Sequence, residues 1–266
     1  MTIEYISSVL KGANNILNWA TFSIDKGETV KFTDKSNYLN LVRGVDISRI
    51  YGTMSGGGTV YLVNPNGILF GQGARLDNVG SFIASTRNIS AINQDAFLND
   101  PNDTTAVLGT DSKEMDNKDY YPADSSYVPK ISVADIQLTN VPQSATKIIL
   151  DGPGGVILKN TELLDKTTQV LTRKDGGEIG IGSGSEQVTL TALQKEKIGL
   201  IEGNKIVPLS NNLNVLQGYK IIRNMAEFQN QNGTYYSNSP SHYMLVNDID
   251  ASNVSTHNPV NARGVF

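Results

Sequence analysis

The 266-residue chain carries few side chains of the kinds that do chemistry. His242 and His257 are the only histidines and there is no cysteine. Neither histidine has a second carboxylate or a thiolate at the spacing a metal centre needs. Asp248 and Asp250 would share one face of a strand, and Asp95, Asp100 and Asp103 lie close together in sequence, so both sets are candidates for paired-carboxylate hydrolysis. All five sit among turn formers and read better as solvated turn and loop acids. Gly182-Ser183-Gly184-Ser185 lacks the following helix and nearby histidine of a nucleophile elbow. Gly56–Gly58 and Gly176–Gly177 lack the Lys-Ser/Thr pair of a phosphate loop. The expectation is a protein that is not an enzyme and holds no metal or cofactor.

What remains is a turn with unusually specific chemistry, Asn64-Pro65-Asn66-Gly67, followed by Ile68. Proline presets φ at the second position of a type I turn, asparagine tolerates the third, and glycine accepts positive φ at the fourth. Val60–Val63 and Ile68–Phe70 flank it, so the turn joins two strands. The asparagine amides are then available to bond neighbouring backbone or to stack on an adjacent turn. A purely structural corner and a corner that also takes part in recognition by a partner are both compatible with these residues.

The elements around this turn are short and rich in β formers: Ile16–Ile24, Glu28–Phe32, Asn37–Val42, Val45–Tyr51, Thr59–Val63, Gly67–Phe70, Ala74–Asp77 and Ser81–Ser85. Each run is too short for an ordinary helix, and polar turns separate them. From about residue 93 to 129 the pattern lapses into an Asp/Asn/Pro-rich stretch that reads as a surface excursion. Strand-like runs resume at Lys130–Leu138, Lys147–Leu150, Gly155–Lys159, Gln169–Thr172, Glu178–Ile181, Gln187–Leu190 and Lys197–Val207. From residue 218 another unit begins, with Met225–Phe228 expected as a short helix and Tyr243–Ile249 as a strand; its pattern is cut short at Phe266. Many short strands with polar turns define an all-β sandwich, barrel or solenoid.

Composition narrows the functional classes. A net charge of −4 and a pI near 5.2, with no Lys/Arg cluster, give no electrostatic basis for nucleic-acid binding. No stretch approaches the roughly 18 apolar residues of a membrane-spanning helix, and Met1–Leu10 lacks a signal peptide's basic start and apolar centre. The absence of cysteine suits passage through an oxidising periplasm.

Asn15-Ile16-Leu17-Asn18-Trp19-Ala20-Thr21-Phe22-Ser23-Ile24 and Glu28–Phe32 resemble the secretion domain of filamentous-haemagglutinin-like adhesins. Leu41-Val42-Arg43-Gly44, Ile50–Met54 and Gly58–Val63 continue the likeness, and Asn64-Pro65-Asn66-Gly67-Ile68 matches the family's signature. Phe70–Asp77 and Gly80–Thr86 extend it in order and at close spacing. The likeness is strong over residues 14–90; the tail from Tyr219 only resembles the start of an adhesin stalk repeat.

The resemblance implies a right-handed parallel β-helix with an amino-terminal cap and extra-helical β elements over residues 1–217, then the start of the adhesin repeat region over 218–266. It implies a secretion-signal role: a cognate outer-membrane β-barrel transporter with periplasmic POTRA-type domains recognises the domain, which nucleates β-helix folding outside the cell. The protein would then reach the surface of a diderm bacterium after periplasmic transit. Asn64–Ile68 would be its recognition or structural motif, and Asn18, Trp19 and Phe22 would build the first coil, Trp19 as an apolar plug. A host-cell receptor or glycan is a further implied partner of the adhesin. The alternatives are a domain that itself binds glycans or cells, and a β-helical polysaccharide lyase or hydrolase.

Overall fold

The computed structural model describes residues 2–33, 35–109, 129–140, 147–158, 162–173, 179–183, 186–187, 190–202, 205–208, 216–217, 219–222 and 242–245. Its strands wind repeatedly through three faces. On the first face lie β1 (Thr2–Lys11), β2 (Asn14–Ser23), β4 (Asn37–Val42), β7 (Thr59–Val63), β10 (Ser81–Ser85), β13 (Ile148–Asp151), β15 (Thr168–Arg173), β18 (Ile198–Glu202) and β19 (Lys205–Pro208), hydrogen-bonded in that order. The second face stacks β5 (Ser48–Ile50), β8 (Ile68–Phe70), β11 (Ile131–Val133), β14 (Val156–Leu158) and β16 (Ile179–Ser183). The third stacks β3 (Thr29–Lys31), β6 (Thr53–Ser55), β9 (Arg75–Asp77) and β12 (Gln137–Thr139).

From β2 to β18 every neighbouring pair on these faces runs parallel, so the sheets form a parallel β-helix and not a closed barrel. The register is regular where the coils are short. Tyr38 pairs with Val60 and Thr59 with Ser81, a repeat of 22 residues per coil. At the amino-terminal end β1 folds back antiparallel on β2, which caps the coil. At the other end β18 and β19 form an antiparallel hairpin.

Alternation along each strand divides the apolar residues between two cores. Val60, Leu62, Phe82, Ala84, Ile148 and Leu150 face the coil interior with Phe70, Ile131 and Val156 from the second face. Their first-face neighbours Leu39, Leu41, Tyr61, Val63, Ile83 and Ile149 point outward, yet they too are buried. Two helices cover them, α1 (Ala91–Asn99) and α2 (Thr104–Leu108), through Phe97, Val107 and Leu108.

This corrects the reading of residues 93–129 as a surface excursion: its first part is folded structure that closes a second core. Ser90 caps α1 by accepting from the Asn93 amide, while the Asn93 side chain accepts from Ser90 N–H, a reciprocal box in which asparagine stands for the usual glutamate. Asp103 caps α2 through Ala106 N–H, and the Asp100 carboxylate accepts from Asn102 N–H. These two acids therefore serve turns. Residues 110–128, the Met225–Phe228 helix and residues 246–249 of the expected Tyr243–Ile249 strand lie outside the described residues. The rest of that strand is β22 (His242–Leu245), paired with β21 (Tyr219–Ile222).

Tyr61 anchors the helices to the sheet. Its ring meets Phe97 edge to face at 5.6 Å and its hydroxyl donates to Pro101 O at 2.9 Å. Burial, with the carboxylates of Asp103 and Asp100, raises the Tyr61 pKa far above its ordinary value. The unfolded chain can ionise this phenol where the folded chain resists. Its stabilising contribution is therefore complete below the ordinary tyrosine pKa and is lost as pH rises above it. Tyr61→Phe should cost about 1 kcal/mol at neutral pH through the lost hydrogen bond. In alkaline urea titrations it should lose stability less steeply than the parent.

Candidate functional site

The signature turn lies at the corner between the first and second faces, joining β7 to β8. Gly67 N–H donates to Asn64 O at 3.1 Å, which closes the turn. Gly67 has φ +126°, a conformation that favours glycine. Asn64 is fully buried and Asn66 is 5% exposed, so their amides cannot fall back on water.

All the bonding capacity of Asn64 is engaged. Its Oδ1 accepts from Asn66 N–H at 2.9 Å and from Asn66 Nδ2 at 3.0 Å. Its Nδ2 donates to Asp46 O at 2.9 Å and to Ser48 Oγ at 3.0 Å. Asn66 Nδ2 also reaches Gly44 O at 2.7 Å. Gly44, Asp46 and Ser48 belong to the preceding coil, so the two side chains tie one corner to the next. A Cβ at Gly44 would collide with the carbonyl oxygen of Ala20, one coil earlier still. On the other side, Asn64 N–H donates to Ser85 O and Ile68 N–H to Lys130 O, each at 3.0 Å. Ile68 is buried in the interior core, and Pro65 is half-exposed.

The polar column continues into coils that lack the motif. Ser85, which pairs with Val63 on one side and Asp151 on the other, donates to Asp151 Oδ2 at 2.8 Å. Arg87 donates from Nε to Asp151 Oδ2 at 2.6 Å and from Nη2 to Asp151 Oδ1 at 3.0 Å, a two-pronged ion pair with side chains 1% and 0% exposed. The Arg87 Nη1 group is buried without a partner. Sixty-four residues of sequence separate the two partners, and this bridge fastens the coil that carries α1 and α2 to the one after it.

At the amino-terminal coil, Trp19 and Phe22 face inward and Asn18 outward. Trp19 lies edge to face between Tyr5, at 5.7 Å, and Phe22, at 5.5 Å. Its Nε1 donates to Asn40 Oδ1 at 3.1 Å, and Asn40 Nδ2 donates to Tyr61 O. Asn18 accepts from Arg43 Nε at 2.9 Å, while Arg43 N–H donates to Trp19 O at 2.7 Å. The Arg43-Gly44 step thus joins the first-coil residues to the signature corner, although 46 positions separate Asn18 from Asn64. Sequence reasoning missed Ser48, Arg87 and Asp151; a polar residue at the end of a β-rich run was the available signal.

The geometry is that of a capped parallel β-helix with a buried polar corner column, and no group of three or more His, Cys, Asp or Glu placed to hold a metal ion occurs among the described residues. Residues 1–217 match the family of TPS secretion domains, to which the chain belongs. It has a secretion-signal role in two-partner secretion, and membership of this family is in keeping with export and a non-enzymatic role.

The chain is similar to a haem/hemopexin-binding protein of Haemophilus influenzae, 34% identical over 83 residues, which are 30% of this chain and 9% of that protein. The protein of that description from the Rd strain is 35% identical over 81 residues, 29% of this chain and again 9% of the relative. The matched stretch is therefore under a tenth of either relative's length. Among solved structures, the HMW1 secretion domain of Haemophilus influenzae matches with 21% identity and a TM-score of 0.34, over 69% of this chain and 42% of that one.

Asn64→Ala and Asn66→Ala should each cost about 1–3 kcal/mol in urea unfolding, because each leaves buried partners unsatisfied. Pro65→Ala should cost far less. Arg87→Ala should be the most damaging, at about 3–5 kcal/mol, since it strands the Asp151 charge.

Proposed function

We propose that residues 1–217 act as the export address of a large surface adhesin, read by a cognate outer-membrane β-barrel transporter through its periplasmic POTRA-type domains. Burial of the Asn64 and Asn66 amides is the observation that carries the mechanistic part of this reading. In the folded domain those amides are engaged with Gly44, Asp46 and Ser48. A partner could read them only in a chain whose coils have not yet closed.

The address is therefore an open segment inside the cell envelope and a structural corner outside it. Asn64, Pro65, Asn66, Gly67 and Ile68 serve in both states, and Asn18, Trp19 and Phe22 close the first coil on which later coils assemble. In a solenoid each coil contacts mainly its neighbours, so an emerging chain can add coil upon coil to a folded end. Folding outside then biases passage outward. Residues 218–266 begin the repeat region that follows, and a host-cell receptor or glycan is the partner of the whole adhesin.

Secretion of the chain by cells that express its transporter tests this, measured for the parent, Asn66→Ala and Pro65→Ala beside the melting temperature of each purified domain. Asn66→Ala is expected to lose secretion to a greater extent than its lowered melting temperature explains. Tyr61→Phe, destabilised in the outer core and not at the corner, serves as the reference and should lose secretion only as far as its melting temperature falls. Secretion that tracks melting temperature alone across the three variants would contradict a recognition role for the motif.

A further inference from the structure

Strand β1 ends the first face, and among the described residues only β2 pairs with it. It is ten residues long, and nine of them are exposed. Tyr5 (56%), Ile6 (53%), Val9 (50%) and Leu10 (66%) present apolar side chains to solvent. Natural sheets rarely leave so long an apolar edge open, because its unpaired N–H and C=O groups template further pairing. Two register shifts, between Glu4 and Tyr5 and between Tyr5 and Ser7, bend only its first half.

The order of residues in this strand is complementary to itself. Antiparallel partners share a face, so the register with β2 sorts β1 into two sides. Tyr5, Ser8 and Leu10 lie with Trp19, Leu17 and Asn15 on the interior side. Glu4, Ser7, Val9 and Lys11 lie with Thr21, Asn18, Ile16 and Asn14 on the side that carries α1, where Lys11 Nζ reaches Asn99 Oδ1.

We propose that a second copy of the chain docks here, β1 against β1, in an isologous antiparallel pair. With Ser8 opposite Ser8 on the two-fold axis, Ser7 faces Val9. Ile6 is the extra residue of the bulge, Tyr5 then faces Leu10, and Glu4 faces Lys11. Every pair falls on a common side of the sheet, Tyr5 and Leu10 cover one another, and each Glu4 carboxylate meets a Lys11 ammonium. Lys11 gives one donor to Asn99 and keeps two for its new partner.

The charge match is what selects a second copy as the occupant. Two-fold pairing uses it twice, as an isologous contact must. One strand pair buries less than the ~1,200 Å² of a standard interface, so the dimer is weak and depends on concentration.

Sedimentation velocity on the 266-residue chain over a concentration series tests the proposal. The parent should show a reversible monomer–dimer equilibrium. Glu4→Lys, which puts like charges opposite at two symmetric positions, should weaken dimerisation by about tenfold. Lys11→Glu should do the same, and the double exchange Glu4→Lys/Lys11→Glu should restore the parent's dissociation constant. Glu4→Lys should leave the monomer's melting temperature unchanged, because Glu4 is exposed, and Lys11→Glu should lower it only slightly, through its exposed bond to Asn99. A chain that stays monomeric throughout overturns the proposal. So does a dimer indifferent to Glu4→Lys, or one that the double exchange fails to restore.

Discussion

The polar column at the corner between the first and second faces is the constraint on which the rest of the coil depends. At every coil the backbone must turn there, and the turn removes peptide groups from the strand ladders. Those groups are buried and need partners. Asn64 and Asn66 supply them because a carboxamide is both donor and acceptor and is short enough to reach one coil away without bending the stack. Once the corner is fixed, so is the register: Val60 and Leu62 point into the coil while Tyr61 and Val63 point out. A slip of one residue would exchange those sets.

Where the coil is interrupted, the same corner is held by different chemistry. The chain leaves β10, builds α1 and α2, and returns much later to place β13 beside β10. Local turn geometry cannot guarantee that return. A buried two-pronged ion pair between Arg87 and Asp151 links the residues that must meet, with Ser85 as a third member. Its charges are costly to bury, and each is tolerable only with the other in place. It therefore favours correct closure more than it adds stability. The helices it admits seal an outer core that a bare solenoid would expose to water.

Much of the coil was legible in sequence for a definite physical reason. β4, β7 and β10 have the bounds expected from their residues, because β-branched and aromatic runs end there at glycine or at a polar turn. β6 escaped because Thr53-Met54-Ser55 has little β character of its own; its pairing with β3 and β9 makes it a strand. The Lys130–Leu138 run hides two strands on different faces, since Ala134 to Ile136 turn a corner. α1 escaped because its apolar residues do not fall on one stripe; Phe97 and the Ser90 cap hold it. At the site, the turn type and the tendency of asparagine to bond nearby backbone were readable from Asn64–Gly67 alone. The identities of Gly44, Asp46 and Ser48 as partners, and the whole Arg87–Asp151 bridge, depend on which coils stack, which no local pattern encodes.

The same stacking separates two states of one segment. Before coils close, the Asn64–Ile68 segment is an extended polar-apolar peptide with free amides; afterwards its side chains are internal. On the proposed reading, the address is erased by the folding it starts. Titration of the transporter's periplasmic domains with the full chain, held unfolded in mild urea and then refolded in the same buffer, tests this most directly. The account predicts saturable binding of the unfolded chain that Asn66→Ala weakens, and loss of that binding on refolding. Equal binding of the folded chain, or no binding of either form, would contradict it.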